Sequence, residues 1–357
     1  MIEQYSTVDL FCGSGGLTHG FNLEGLKVVA GIDFDSTCKY SYENNNNSQF
    51  LHYDILKLSA KELQSLYPPN TYKILVGCAP CQPFSIFTKN KSKATSLEED
   101  ERWRLLYSFS NLIKETRPEI ISMENVPLLK TFNQGIVFND FIKPLKKIGY
   151  YLEYKVVNAQ DYGVPQRRKR LVLLGSLLGP IEFIPPTHSN KFVTVAESIG
   201  HLPNLNAGEI DPHDPLHRSR SLRPLSKTRI KATPEGGSWV DWADNLKLEC
   251  HKKPSGKPFG SVYGRMHRNE VAPTITTYCT GLNNGRFGHP VQDRAISLRE
   301  AAILQSFPHD YKFIDPNKKV ITGTLARHIG NAVPVLLGRA IAKSIKKHIT
   351  KYSNVNR

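Results

Sequence analysis

The chain has 357 residues, 39% of them hydrophobic, and its 47 Lys and Arg against 32 Asp and Glu leave a formal net charge of +15. That length suggests about two domains with enough apolar material for a sizeable core, and the charge favours a polyanionic partner over an acidic or membrane-embedded role. The start MIEQYSTVDLFC has no charged segment leading into an apolar one, and no run of about 18 apolar residues occurs, so neither secretion nor membrane insertion is expected and the reading is cytoplasmic.

From the N-terminus to about residue 178, short β-branched runs alternate with helical patterns: YSTVDLF, LKVVAGIDF, QFLHYDIL, YKILVGCAP, PEIISMENV, YLEYKVVNA and RLVLLGS. Seven such runs predict an α/β fold with a mostly parallel, doubly wound seven-stranded sheet. The first run ends in VDLFCGSGG, which places Asp9, Phe11, Gly13, Gly15 and Gly16 at a strand-to-helix turn where a ligand can approach bare backbone. This is not the G-x-G-x-x-G dinucleotide fingerprint, so a dehydrogenase is disfavoured. The second run ends in GIDFD, where Asp33 is a candidate to accept both ribose hydroxyls of an adenosine ligand and Phe34 to stack on its base. Asp54, ending the third run, could take a hydrogen bond from the adenine amino group. Taken singly, each of these is also what a turn or a core would contain.

LVGCAPCQPFS follows the fourth run and sets Cys78 and Cys81 three positions apart. Zinc would need further ligands, and Cys12, Cys38, Cys250 and Cys279 offer no second pair at ligand spacing. No metal is expected. A redox pair would open a helix, whereas Pro80 and Pro83 bracket Cys81 in a loop that presents one thiol at the carboxyl edge of the sheet, with Cys78 a small buried hydrophobe. A thiol attacks only as thiolate and needs a charge or a base nearby. MENV supplies Glu124, a carboxyl in an expected apolar setting whose pKa would rise to make it a proton donor, and QRRKRLVLLG supplies Arg168 and Arg170 on one strand face.

Residues 181–295 form a second region rich in Pro, Gly, Asn and His, expected as a smaller domain of short strands and loops. It holds two acid-free basic stretches, 217–231 with six Lys and Arg and 251–268 with five, interleaved with Trp239, Trp242, Phe259 and Tyr263, which points to nucleic acid over a merely solvated face. Regularity returns in 296–357, with the helical patterns ISLREAAILQSF and AVPVLLGRAIAKSIKKHI, the second expected to pack back on the first sheet.

In this order DLFCGSGG, GCAPCQPFS, MENV, QRRKR, LREAAILQSFP and GNAVP run through nearly the whole chain, and together they resemble the ordered motifs of the DNA (cytosine-5) methyltransferases. The resemblance implies a Rossmann-like domain over 1–180 that binds S-adenosylmethionine, a target-recognition domain over 181–295, and a C-terminal segment returning to the first domain. Asp9, Phe11, Gly13, Gly15, Gly16, Asp33, Phe34, Asp54, Pro80, Asn331 and Val333 match methyl-donor positions. Cys81 matches the nucleophile, Glu124 the acid, and Arg170, with Arg168 nearby, the groups that hold the cytosine. The implied DNA-facing set is Ser85, Lys89, Lys91, Gln166, Arg265, Thr274 and Ile275. Asp33 stands where many relatives carry Glu, and the loop after Cys81 lacks their glycines.

The chemistry so implied is addition of Cys81 to carbon 6 of a flipped cytosine in duplex DNA, protonation of nitrogen 3 by Glu124, and methylation of carbon 5. Two other readings stay open: the same thiol chemistry on a tRNA, and a catalytically silent DNA-binding protein. Size suggests a stand-alone monomeric enzyme paired with a restriction endonuclease.

Overall fold

A computed structural model describes residues 4–80 and 101–353. Cys81, Ser85, Lys89 and Lys91 lie outside the described residues. All seven expected strands form: β1 Gln4–Leu10, β2 Val28–Asp33, β3 Gln49–His52, β4 Thr71–Gly77, β5 Ile120–Asn125, β6 Tyr151–Asn158 and β7 Lys169–Ser176. They make one sheet in the order β3-β2-β1-β4-β5-β7-β6. The first five are mutually parallel, and β7 is antiparallel to both of its neighbours. Every residue of β5 is buried, as expected of a strand covered on both faces.

The strand order reverses between β1 and β4, which is where open α/β sheets place their ligands, outside the strands' carboxyl ends. The glycine turn leaves β1 at that point, and Ala79 and Pro80 leave β4 beside it. Helices α1 Gly16–Leu23, α2 Lys39–Glu43, α3 Ala60–Ser65, α4 Glu101–Thr116 and α5 Ile136–Lys147 cross between strands. The core on the α4 and α5 side joins Val8, Leu10, Leu75, Ile121 and Leu173 of the sheet to Trp103, Phe109, Phe138 and Phe141.

The chain divides into two compact units that interleave more than boundaries at 180 and 295 would suggest. Among the described residues, the sheet unit takes those up to Asn158, Lys169–Pro186, and those from Val335 onward; the other takes Ala159–Arg168 and Thr187–Pro334. The loop between β6 and β7 joins the second unit because its backbone bonds there, Arg167 N to Ala272 O at 2.8 Å and Thr187 N to Asp161 O at 2.9 Å.

The second unit holds α6 Val195–Ile199, α7 Pro224–Lys231, α8 Glu249–Lys252, α9 Leu298–Leu304 and α10 Thr322–Asn331. The short strands expected there do not form among the described residues. Isolated bridges such as Gln166 to Ala272 and Arg265 to Gly288 replace them, since frequent Pro and Gly interrupt any ladder. The C-terminal helix α11 Val335–Ser353 lies in the sheet unit against α1, where Arg339 Nε bonds Glu24 Oε1 at 2.6 Å.

Candidate active site

In the sheet unit the turn after β1 is left-handed at Gly13 (φ +51°) and Gly15 (φ +89°), which glycine adopts without a side-chain penalty. A Cβ built on Gly13 would meet nothing within 4 Å among the described residues, so this backbone is open to a ligand on their side, and α1 begins at Gly16. Asp33 reaches back to the turn: its Oδ2 accepts from Gly13 N at 2.8 Å, while Oδ1 accepts from Asp35 N at 2.8 Å. Phe34, next in sequence, is 72% exposed, an unusual cost for a phenyl ring at a strand end, and its carbonyl meets His52 Nε2 at 2.9 Å. Asp54 closes a local turn by accepting from Leu56 N at 3.0 Å. Phe11, itself left-handed at φ 60°, sets its ring edge-on to Phe109.

Asp9 is buried at the carboxyl end of β1. Its Oδ2 accepts from Thr18 Oγ1 at 2.7 Å, and Thr18 lies 3.1 Å from Tyr42 OH. Its Oδ1 is buried with no hydrogen-bond partner among the described residues. Loss of water pushes the Asp9 carboxyl up to about 7, the Thr18 bond opposing and the Asp33 charge adding to the shift.

Glu124 lies in β5 opposite Val172 of β7, and Arg170 Nε stands 2.9 Å from Glu124 Oε1. The setting is therefore an ion pair, not the apolar pocket the sequence suggests. The contact is charge against charge, with no directed hydrogen bond at that oxygen. Asn125 Nδ2 donates to Ala79 O at 3.1 Å and so holds the exit from β4 against the end of β5. Burial pushes the Cys78 thiol well up, with the Glu124 and Asp9 charges adding to it, which suits a structural thiol and not a nucleophile.

The second unit collects the other candidates. Gln166 is fully buried: its Nε2 donates to Leu304 O at 2.8 Å and to Gln305 Oε1 at 2.6 Å, and its Oε1 accepts from Ile275 N at 2.9 Å. Arg168 Nη1 donates to Ile275 O at 2.9 Å and Nη2 to Gly330 O and Ala332 O, each at 3.2 Å. Thr274 Oγ1 donates to Arg167 O at 2.7 Å. QRRKR thus clamps the Ile275 backbone and the Thr274 hydroxyl. It does not put Arg168 and Arg170 on one strand face, because Arg168 precedes β7 and turns to the carbonyls of its own unit. Asn331 is exposed and Val333 buried just past α10.

Three DNA-facing candidates are corrected by this geometry. Arg265 is buried, and all five of its N–H groups are used: Nε on Thr233 O, Nη1 on His289 O and Gln292 O, Nη2 on Ile230 O and Asp293 Oδ1. No donor is left for a base. The amide of Gln166 is likewise consumed, and the Ile275 side chain is fully buried. Gln305, inside LREAAILQSFP, is a functional candidate that the sequence did not single out, since its side-chain partners lie more than twenty residues away.

The sequence profile of the C-5 cytosine-specific DNA methylases matches residues 5–347. Type II methylase M.HgiDII of Herpetosiphon aurantiacus is 52% identical over 96% of this chain and 96% of its own. Type II methyltransferase M1.HphI of Haemophilus parahaemolyticus is 33% identical over 95% of this chain and 86% of its own. Among solved structures, Entamoeba histolytica methyltransferase EhMeth superposes with a TM-score of 0.69 at 17% identity, covering 97% of this chain and 99% of that one, a likeness of fold.

Proposed function

The chain belongs to the C-5 cytosine-specific DNA methylase family and is a DNA cytosine-5 methyltransferase, and we propose that it acts on a cytosine rotated out of a specific duplex sequence, through a transient bond to Cys81 and with S-adenosylmethionine as donor. The residues at the β1 and β2 ends fit that donor: an open glycine turn, the Asp33 carboxylate beside it, the exposed Phe34 ring, and the orphaned Asp9 oxygen. When bound, the sulfonium supplies an electrophilic methyl group. Asp33 would accept from the ribose hydroxyls, Phe34 would cover the adenine and Asp54 would meet its amino group, with Phe11, Gly13, Gly15, Gly16 and Pro80 beside them; Asn331 and Val333, in the other unit, are assigned to the donor by their motif.

The observation that carries the reading is the Glu124 and Arg170 pair at the carboxyl edge of β5, beside the strand exit that leads to Cys81. Carbon 5 of cytosine is a weak nucleophile until a thiolate adds at carbon 6 and nitrogen 3 gains a proton. Cys81 would make that bond, Glu124 would supply the proton, and Arg170 would hold both Glu124 and the 2-oxo group. Once carbon 5 carries the methyl group, loss of its proton to a water-relayed base expels Cys81 as thiolate, and return of the nitrogen 3 proton to Glu124 restores the neutral ring. A flipped base costs a few kcal/mol in lost stacking, which contacts from Glu124 and Arg170 would offset.

The type II names of the relatives support pairing with a restriction endonuclease. A monomer in the cytoplasm is the simplest state for such an enzyme, and no helix among the described residues is long and apolar enough to cross a membrane. The test is trapping. A duplex carrying 5-fluorocytosine at the modified position should become covalently joined to the wild type and not to Cys81→Ala, with bisulfite sequencing locating the site in plasmid DNA. Capture of the Cys81→Ala protein, or methylation of tRNA with none of DNA, would refute it.

A further inference from the structure

We propose that Gln305 is a positioning residue for the segment Asn331–Val333, and that its partner Gln166 does the same for Thr274 and Ile275. The two buried amides set the donor side and the base side of this unit separately. The inference rests on the roles that the family resemblance implies for those two segments, the methyl donor for Asn331–Val333 and the target base for the backbone at Thr274 and Ile275, whose buried isoleucine side chain takes no part.

The argument begins at the end of α10. The last carbonyls of a helix have no partner within it. Here Gln305 Nε2 meets Ile329 O at 2.6 Å, Ala332 O at 3.3 Å and Gly330 O at 3.5 Å, while Arg168 Nη2 takes Gly330 O and Ala332 O. A guanidinium at this end also meets the negative pole of the helix. Ala332 leaves the helix in an extended conformation (φ −60°, ψ 146°), and Pro334 cannot extend it. The direction in which Asn331 and Val333 depart is therefore set by what holds those three carbonyls.

The base-side segment crosses the same helix end. A Cβ on Gly330 would stand 2.3 Å from Thr276 C and 2.4 Å from Thr277 N, so only glycine lets the two backbones touch. The Gln166 Nε2 bond to Gln305 Oε1, 2.6 Å long, joins the amides head to tail, and Gln166 Oε1 then takes Ile275 N. Both glutamines are fully buried. A methionine would fill the same volume, but it could not hold carbonyls that diverge at a helix end.

The test separates the two sides. KM for S-adenosylmethionine and KM for duplex DNA would be measured independently for wild type, Gln305→Met and Gln166→Met, with donor binding in the absence of DNA followed by calorimetry. Gln305→Met should raise the donor KM and Kd about tenfold, the cost of leaving one helix-end carbonyl unmet, with DNA KM within about twofold. Gln166→Met should show the opposite bias. Gln305→Glu keeps the shape and the bond from Gln166 but sets a carboxyl oxygen against these carbonyls in place of the amide donors, so it should move the donor KM in the same direction should the methionine variant not fold. Equal rises in both KM values, or a lowered melting temperature with neither KM changed, would overturn the inference and leave Gln305 as core packing. Absence of cytosine methylation by the wild type would instead refute the proposed function.

Discussion

Asp9 and His289 show burial acting in opposite senses on two titrating side chains. Burial drives His289 down to about 4, with the Glu300 charge opposing and Arg294 and Arg265 adding to the shift, so the ring stays neutral among charged neighbours. Asp9 goes the other way, to about 7 from an ordinary 3.8. The folded state then keeps a proton that the unfolded chain releases, so Asp9's contribution to stability is lost as pH rises from about 4 to about 7 and is flat above that. Asp33, Cys12, Cys78 and Tyr42 are the titratable groups facing it. Relative to wild type, Asp9→Asn should gain stability steadily across that window, by on the order of a few kcal/mol in total. Thermal unfolding at pH 5, 6, 7 and 8 checks this. A difference between the two proteins that does not vary with pH would remove Asp9 as its source.

Among the elements, the reversed β7 matters most to the site. Because β7 runs antiparallel to β5, its amino end lies beside the carboxyl end of β5, and Arg170 enters there next to Glu124. A parallel strand would have carried the arginine to the opposite edge of the sheet. The pairing of α1 with α11 is as specific. A Cβ on Gly20 would fall 2.4 Å from Arg339 N and 2.6 Å from Val335 O, so the helices meet backbone to backbone. Gly20→Ala should destabilise the sheet unit by about 1–3 kcal/mol, since neither backbone can yield cheaply. The urea midpoint reads this out, and an unshifted midpoint would mean the helices can part without cost.

For the molecule as a whole the excess of 15 positive charges is the dominant electrostatic fact. Each phosphate neutralised releases counterions, so DNA affinity should fall about tenfold between 50 and 200 mM salt for every two phosphates engaged. Affinity for the methyl donor, a small zwitterionic cation, should change little by comparison. Binding isotherms for DNA and for donor over that salt range test the contrast. A flat DNA isotherm would mean that the basic stretches 217–231 and 251–268 are solvated surface and not a phosphate-binding face.

Much of this protein was readable from its order of residues alone. Strands announce themselves through β-branched runs of strand length, and all seven fell where that pattern predicts; the central parallel strands are clearest because they have no polar face to blur the pattern. Glycine turns and thiol, carboxyl and guanidinium motifs are local, so the six blocks identified the family that the comparisons show. Side-chain direction is not local. Arg168 and Arg170 read as equivalents two positions apart, yet one caps α10 in the second unit and the other pairs with Glu124 in the sheet unit. Arg265 reads as a base contact in sequence, yet its five donors are spent on protein oxygens, and nothing local marks Gln305 as the residue that meets the end of α10. Which partner a polar group satisfies depends on distant chain segments brought together only by packing; for Gln166 that partner lies 139 positions along.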